Sequence, residues 1–537
     1  MKKRIISMML VVLLSASGLI GCGEKDTSKT ANEEKRVLTV GVPQYGTITD
    51  YDENAFTKYL EESLNIDIQF EFFANNSSDY TQQLTLACSA GDELPDVLWG
   101  FHGLGRETMN QLGEDGFLID LTDLIEKHGE NYKKAMSKLP KEDQEFIKKR
   151  GTNVNDGAFY GMPFYTTTVV ADSLQTMTTI NQSWLDSLGL QVPTNVDELY
   201  NVLRAFKTND PNGNGEDDEL PMFSSNIWLY VINAFVYYDT AEMFNVTDGK
   251  LWNPVTTNEY RQAMIYLNKL CKEGLLSELS FTTSNADAKA LISGTGEEAK
   301  VGVWCGHPET MTVTSSKVLD QYVAMQPLKA ATSKGGYVVA REESAIFTAF
   351  ITKDCDDTET AMKFLDYFYK DETVTRMRHG EKGVDWEESQ GVSEFFTDST
   401  IRIINSEAFF GGNSTWGQNG HGILTPENYL CIASDGEGKV GRLAEKSRLL
   451  REHTDILINC EKPDEIVGKL LYTDEQYEKK TSLEAAYASY VASARSLFIT
   501  GDNDPSDDKQ WQTYLDTLEQ YGATKLLKLY QEVYDNQ

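Results

Sequence analysis

The sequence predicts an α/β protein of two lobes with a helical C-terminal region. Three observations lead there. A chain of 537 residues with 40% apolar and 11% aromatic content exceeds what one simple core holds. Residues 37–99 alternate strand-like and helix-like patterns with short joints. A stretch interrupted by Gly157, Gly161 and Pro163 then separates that region from a second one.

Taken in order, residues 37–42 read as a buried strand, 54–65 as a helix, 66–72 as a strand with apolar alternation, 80–90 as a helix and 94–99 as a third strand. This order with short joints requires parallel pairing. Ligands of parallel sheets sit beyond the carboxyl ends of the strands, which puts Tyr45, Trp99 and Phe101 near a mouth. Residues 156–165 read as a crossover. Residues 180–190 read as a short helix stopped by Gly189. Past Pro193, Asn195 and Glu198 form a capping box for a helix whose Val196, Leu199, Tyr200, Leu203 and Phe206 share one face. Further helices are expected at 259–271, 358–369 and through most of 445–536. Strands are expected at 301–304 and 345–351, the latter able to return the chain to the first lobe. The expected division is 36–163 with 307–390 for the first lobe, and 164–306 with 391–537 for the second.

The N-terminus carries a different signal. Lys2, Lys3 and Arg4 precede an apolar run over 5–20 that ends in Leu19-Ile20-Gly21-Cys22. Residues 1–21 read as an export signal, too short for a membrane span. Leu-Ile-Gly-Cys resembles the lipobox of bacterial lipoproteins, in which the thiol of the cysteine, here Cys22, is diacylated and becomes the new N-terminus. An ordinary signal peptide with a chance cysteine is the alternative. Residues 22–35 are polar, without aromatics, and suit a flexible tether below a lipid anchor.

Composition excludes some partners. With 83 acidic against 49 basic residues, a net charge of -34 repels nucleic acid and anionic lipid surfaces. The remaining cysteines, Cys88, Cys271, Cys305, Cys355, Cys431 and Cys460, are too widely spaced for a metal or redox pair. Disulfides and buried free thiols both remain open. The six histidines are scattered, which gives a zinc cluster little support.

The stretch D-P-N-G-N-G-E-D-D-E at 210–219 admits three readings: a metal cage, an acid cluster for catalysis, or a polar turn. Counting from Asp210, the residues Asn212, Asn214, Gly215, Glu216 and Asp218 fall at positions three, five, six, seven and nine, the oxygen spacing of a calcium loop. Position seven offers its backbone carbonyl, and the usual glutamate at position twelve is missing, because Pro221 stands there. Contiguous solvated acids do not make the separated carboxylate pair of a glycosidase. A solvated Gly-rich turn stays open.

Sugar binding requires flat apolar faces together with amides and carboxylates. Trp184 and Trp511 lie at helical core spacing. Trp99, Trp228, Trp304, Trp386 and Trp416, with Tyr45 and Tyr165, lie at predicted strand ends or in Gly-rich loops. They are the candidate ligand contacts, about half of them expected to line a cleft. The loop 411–420, with Trp416 as an exposed aromatic, is the most binding-like segment.

These segments, taken in chain order, resemble one family. The lipobox, Glu93-Leu94-Pro95-Asp96-Val97, residues 181–190, Val192-Pro193-Thr194 leading to the acidic loop, residues 347–369 followed by Gly383-Val384-Asp385-Trp386, and 498–502 before 531–535 are similar to the extracellular solute-binding proteins (family 1) of bacterial ABC importers. The likeness is to the carbohydrate-binding cluster, nearest to Gram-positive lipoproteins and alginate-oligosaccharide binders. It implies a periplasmic-binding-protein-like fold of type II with discontinuous lobes and hinge crossovers. It also implies a monomer without enzymatic activity, lipid-anchored on the extracellular face of the cell membrane. Such a protein closes on an oligosaccharide and delivers it to permease subunits. The resemblance further suggests structural calcium at Asp210, Asn212, Asn214, Glu216 and Asp218, with Glu219 supplying the ligand missing at position twelve. An exported polysaccharide-active enzyme and an adhesive or signalling surface lipoprotein are the alternatives.

Overall fold

The protein is described by a computed structural model over residues 35–536, except 47, 167–176, 241–242, 284, 294–295, 307–314, 332–335, 338, 340–344, 393–397, 406–411, 418–420, 430 and 434–437. The export signal and Cys22 lie outside the described residues. Among those described, no helix is long and apolar enough to cross a membrane.

The first lobe begins as its sequence predicts. β1 (Arg36–Pro43) pairs in parallel with β2 (Ile66–Phe73), Val40 opposite Phe70, and with β3 (Val97–Trp99). The helix Ala55–Leu64 starts where the Asn54 side chain accepts the Phe56 N–H. The helix Ser77–Ala90 starts at Asn76 in the same way. Each cap satisfies a backbone donor that the first helical turn leaves without a partner. β4 (Met162–Thr166) then joins the same sheet, and the chain passes to the second lobe.

There β5 (Thr178–Asn181) replaces the start of the expected 180–190 helix, which runs only over Gln182–Leu188 and stops at Gly189 with φ 64. Only a residue without a Cβ adopts that left-handed turn at no cost. β6 (Leu220–Met222) follows the helix Val196–Thr208. The hairpin β7 (Asn245–Thr247) and β8 (Lys250–Trp252) comes next, then β9 (Val301–Cys305) and β10 (Tyr322–Met325). The second sheet has the order β10-β5-β9-β6. A Cβ on Gly302 would lie 2.5 Å from the Phe206 ring and 2.7 Å from the Pro221 carbonyl. The helix therefore lies directly against β9, and its end delivers the acidic loop to the start of β6.

The chain returns to the first sheet with β11 (Ile346–Ile351), antiparallel between β3 and β4. β12 (Trp386–Val392), β13 (Asp398–Ile403) and β15 (Ile432–Ala433) form a small sheet of their own. β14 (Gly422–Leu424) closes the first sheet in the order β14-β4-β11-β3-β1-β2. Helices Gly438–Ile458, Asp474–Thr500, Asp508–Gln520 and Ala523–Asp535 complete the chain.

Two boundaries of the expected division are corrected. Tyr322–Met325, placed with the first lobe, pairs with Thr178–Asn181 in the second sheet. Gly422–Leu424, placed with the second, pairs with Phe164–Thr166 in the first. Both are strands of three or four residues, and sheet membership is set by distant hydrogen-bond partners that local pattern does not reveal. The six cysteines outside the N-terminus are thiols rather than disulfides, five of them buried.

Candidate functional site

Strand direction locates the cleft. β1, β2, β3, β4 and β14 run the same way, so the carboxyl end of β4 lies beside the first residue of antiparallel β11. In the second sheet the first residue of β5, Thr178, pairs with Cys305 at the end of β9 and with Met325 at the end of β10. The passages from β4 to β5 and from β10 to β11 therefore both tie the carboxyl edge of one sheet to the carboxyl edge of the other. Solutes of open α/β sheets bind at such edges.

On the first edge Tyr45 stands two residues past β1, half-buried, its hydroxyl donating to the Gly100 carbonyl at 3.2 Å. Burial raises its hydroxyl pKa, with Tyr80 and Tyr51 adding to the shift. His102, past β3, is half-buried with its ring edge-on to Phe164 at 5.4 Å. On the second edge Ser225 and Asn226 are exposed past β6, and Gln326 past β10. Trp228 follows in the first turn of the helix Ile227–Asn233, and the Arg495 guanidinium carbon lies 3.5 Å from its ring centroid. A cavity of about 230 Å³ opens beside them, with Tyr238 and Met243 in its wall. His102, Ser225, Asn226 and Arg495 were not among the sequence candidates. Arg495 meets Trp228 only through the tertiary fold, which no local signal announces.

Four of the seven candidate aromatics are core residues rather than ligand contacts. Trp99, Tyr165, Trp304 and Trp416 are at most 2% exposed. Trp416 meets Trp99 edge to face at 4.8 Å and donates its indole N–H to the Thr57 hydroxyl at 2.8 Å. The binding-like loop is tied down ahead of it. The Asn413 carbonyl accepts the Ala55 N–H, and its side chain accepts the Asp50 N–H. Trp386 lies half-buried at the start of β12, donating to the Gly380 carbonyl at 3.1 Å. Its strand belongs to the small separate sheet of β12, β13 and β15.

The acidic loop occupies the other end of β6. Asn214 N–H and Gly215 N–H donate to the two carboxylate oxygens of Asp210, and the Asn214 side chain accepts the Glu216 N–H at 2.7 Å. The Asn212 and Asn214 amides both reach Asp218 Oδ1, while Lys300 Nζ lies 2.5 Å from Asp218 Oδ2. That ammonium holds the Asp218 carboxyl below its usual range. Glu219 differs. Burial, then Asp210, Asp218 and Asp217, raise its carboxyl pKa, and its Oε1 is shielded with no hydrogen-bond partner. Among the described residues no three His, Cys, Asp or Glu are gathered as ligands. A calcium loop combines carboxylate, amide and backbone oxygens, and the orphaned Glu219 oxygen fits a place for a hard cation.

Comparison with known proteins now decides the family. The model of the bacterial extracellular solute-binding proteins matches residues 45–375, more than half of the chain. The chain belongs to that family. This solute-binding protein is 26% identical over 98% of its length to the fructooligosaccharide ABC transporter substrate-binding protein FusA of Streptococcus pneumoniae serotype 4, covering 97% of it. It is 24% identical, over all of both chains, to lipoprotein LipO of Bacillus subtilis. Its fold matches the FusA EF-hand mutant in complex with fructo-nystose, with a TM-score of 0.74 and 22% identity over 93% of this chain and 99% of that one. It also matches alginate-binding protein AlgQ2 solved without calcium ion, at 0.66 and 19% identity, covering 94% and 99%. These likenesses establish the type II solute-binding fold.

Proposed function

We propose that this chain captures a neutral oligosaccharide between the carboxyl edges of its two sheets and delivers it to the permease of an ABC importer. Acylated Cys22 would hold it at the extracellular face of the membrane. The observation that carries the reading is the chemistry of those edges. In a chain of net charge -34, the described residues Gln44, Tyr45, His102, Ser225, Asn226 and Gln326 at those edges offer hydroxyl, amide and imidazole groups, with the Arg495 guanidinium beside them. Such groups match sugar hydroxyls, and the half-buried ring of Tyr45, with the part of the Trp228 ring that burial (9% exposed) and Arg495 leave open, matches the C–H face of a pyranose or furanose. The Arg495 guanidinium stacked on Trp228 keeps that indole in one orientation. Contact with both edges at once favours the closed arrangement of the lobes, so ligand drives closure. The relative named for fructooligosaccharides, aligned over nearly the whole chain, supports this ligand class.

The test is a thermal-shift and calorimetric panel. Fructo-oligosaccharides are expected to raise the melting midpoint, and galacturonate oligomers are not. Trp228→Ala is expected to weaken the sugar roughly tenfold, about 1.4 kcal/mol, through lost stacking. No stabilisation by any neutral oligosaccharide, or release of reducing ends from one, would sink the proposal.

Calcium belongs to the same reading. The side chains of Asp210, Asn212, Asn214, Asp218 and Glu219 with the Glu216 carbonyl would hold the ion. Its charge would offset the crowded carboxylates and fix the turn between helix and sheet. The loop stands at the amino end of β6, so its role is support of the lobe rather than contact with sugar. A hundredfold excess of calcium over its Kd is expected to add about 2.7 kcal/mol of stability. Glu219→Gln should remove most of that gain. Burial and the neighbouring carboxylates raise the Glu219 carboxyl pKa, so protons compete with the cation there and the gain should shrink as pH is lowered towards the carboxylate range. Equal melting midpoints in calcium and in EDTA at neutral pH would remove the metal.

A further inference from the structure

A cavity of about 600 Å³ on the second lobe shares no lining residue with the carboxyl edges. Its aromatic lining is Phe235, Tyr237, Tyr337 and Trp252. Tyr237 and Tyr337 meet edge to face, 6.0 Å between centroids at 86°. The Trp252 indole spends its one N–H on the Thr247 hydroxyl at 3.0 Å, so its ring offers only a π surface.

Four carboxylates complete the wall: Asp248, Glu259, Asp464 and Glu465. Among the described residues no Lys or Arg lines the cavity, and none of the four has an ion-pair partner; Lys329, on the segment that also carries Tyr337, pairs with Glu461 instead. Glu465 accepts the Gly249 N–H at 3.3 Å, which leaves its charge uncompensated. The first lobe's cavity of about 670 Å³ is different, because Lys133 and Lys148 there balance Glu126 and Glu145.

We propose that this cavity is a second ligand site, taking a small organic ammonium ion. Aromatic faces attract a cation through their quadrupoles, here beside carboxylates at exposed positions. Four like charges around one cavity repel one another, and a neutral occupant leaves that repulsion in place while a cation relieves it. The raised pKa of the Tyr337 hydroxyl, set by burial and then by Glu461 and Asp464, reflects the same negative field. The volume admits a molecule of choline or polyamine size with room left for water.

The experiment is calorimetric titration of the full chain with choline, with tetramethylammonium, and with 3,3-dimethylbutan-1-ol as the neutral isostere of choline. Saturable binding of both cations is expected, with the isostere at least about tenfold weaker. The double variant Asp464→Asn with Glu465→Gln, altered only at exposed positions, should weaken choline about tenfold, and Trp252→Ala should do the same. Fructo-oligosaccharide affinity should stay unchanged in both variants. Three results would each overturn the site: no saturation by either cation on the order of 10 mM, equal affinity for the isostere, or choline binding untouched by the double variant.

Discussion

Trp416→Ala is expected to cost the first lobe about 3–5 kcal/mol while leaving the sugar affinity of the folded protein unchanged. The indole is 1% exposed and sits among Phe56, Phe70, Trp99 and Phe368, at centroid distances from 4.8 to 5.9 Å. Its N–H is satisfied by the Thr57 hydroxyl, itself buried. Alanine would leave a cavity that rigid neighbours fill only in part, and would strip Thr57 of its donor. The measurement pairs the urea midpoint with sugar affinity determined well below it. A sugar contact would show the reverse pattern, with near-native stability and lost affinity.

That reversal shows where sequence reasoning reached its limit. Two helix starts were legible because their signals are local, at Asn54 and Asn195, while those capped by Asn76 and Asn181 were placed at residues 80 and 180 instead of Ser77 and Gln182. The alternation over 37–99 was legible because short joints permit only parallel pairing. Aromatic exposure was not legible. Strands of a sheet covered on both faces have no open side, so Trp99 on β3, Tyr165 on β4 and Trp304 on β9 are core whichever way they point. Trp416 misled for another reason. Glycines around it suggest a mobile loop, yet backbone bonds from Thr49 and Ala55 anchor Gly412 and Asn413 and turn the next residues inward. The calcium reading of the acidic loop rests on local spacing, to which the structure adds a shielded Glu219 oxygen and a lysine on Asp218.

Lowering pH should destabilise the protein through His421, and His421→Gln should flatten that dependence. The ring is fully buried just before β14, with Nδ1 2.7 Å from the Thr348 hydroxyl and no hydrogen-bond partner for Nε2. Tyr369 and Phe368 meet it edge-on at 5.2 and 6.0 Å. Burial, with a further push from His102, lowers its pKa to about 3. The unfolded chain titrates near about 6.5, so between those values it binds a proton that the native state refuses. The native state therefore keeps its full advantage above about pH 6.5 and loses up to about 1.4 kcal/mol per unit below it. Between about pH 7.5 and about pH 4.5 the wild type should lose roughly 2–3 kcal/mol more than the variant in urea-unfolding free energy. Glutamine can still bond Thr348, and the other titrating groups, common to both proteins, cancel in the difference. Parallel pH profiles for the two proteins would show that His421 takes its proton without unfolding the sheet edge around it.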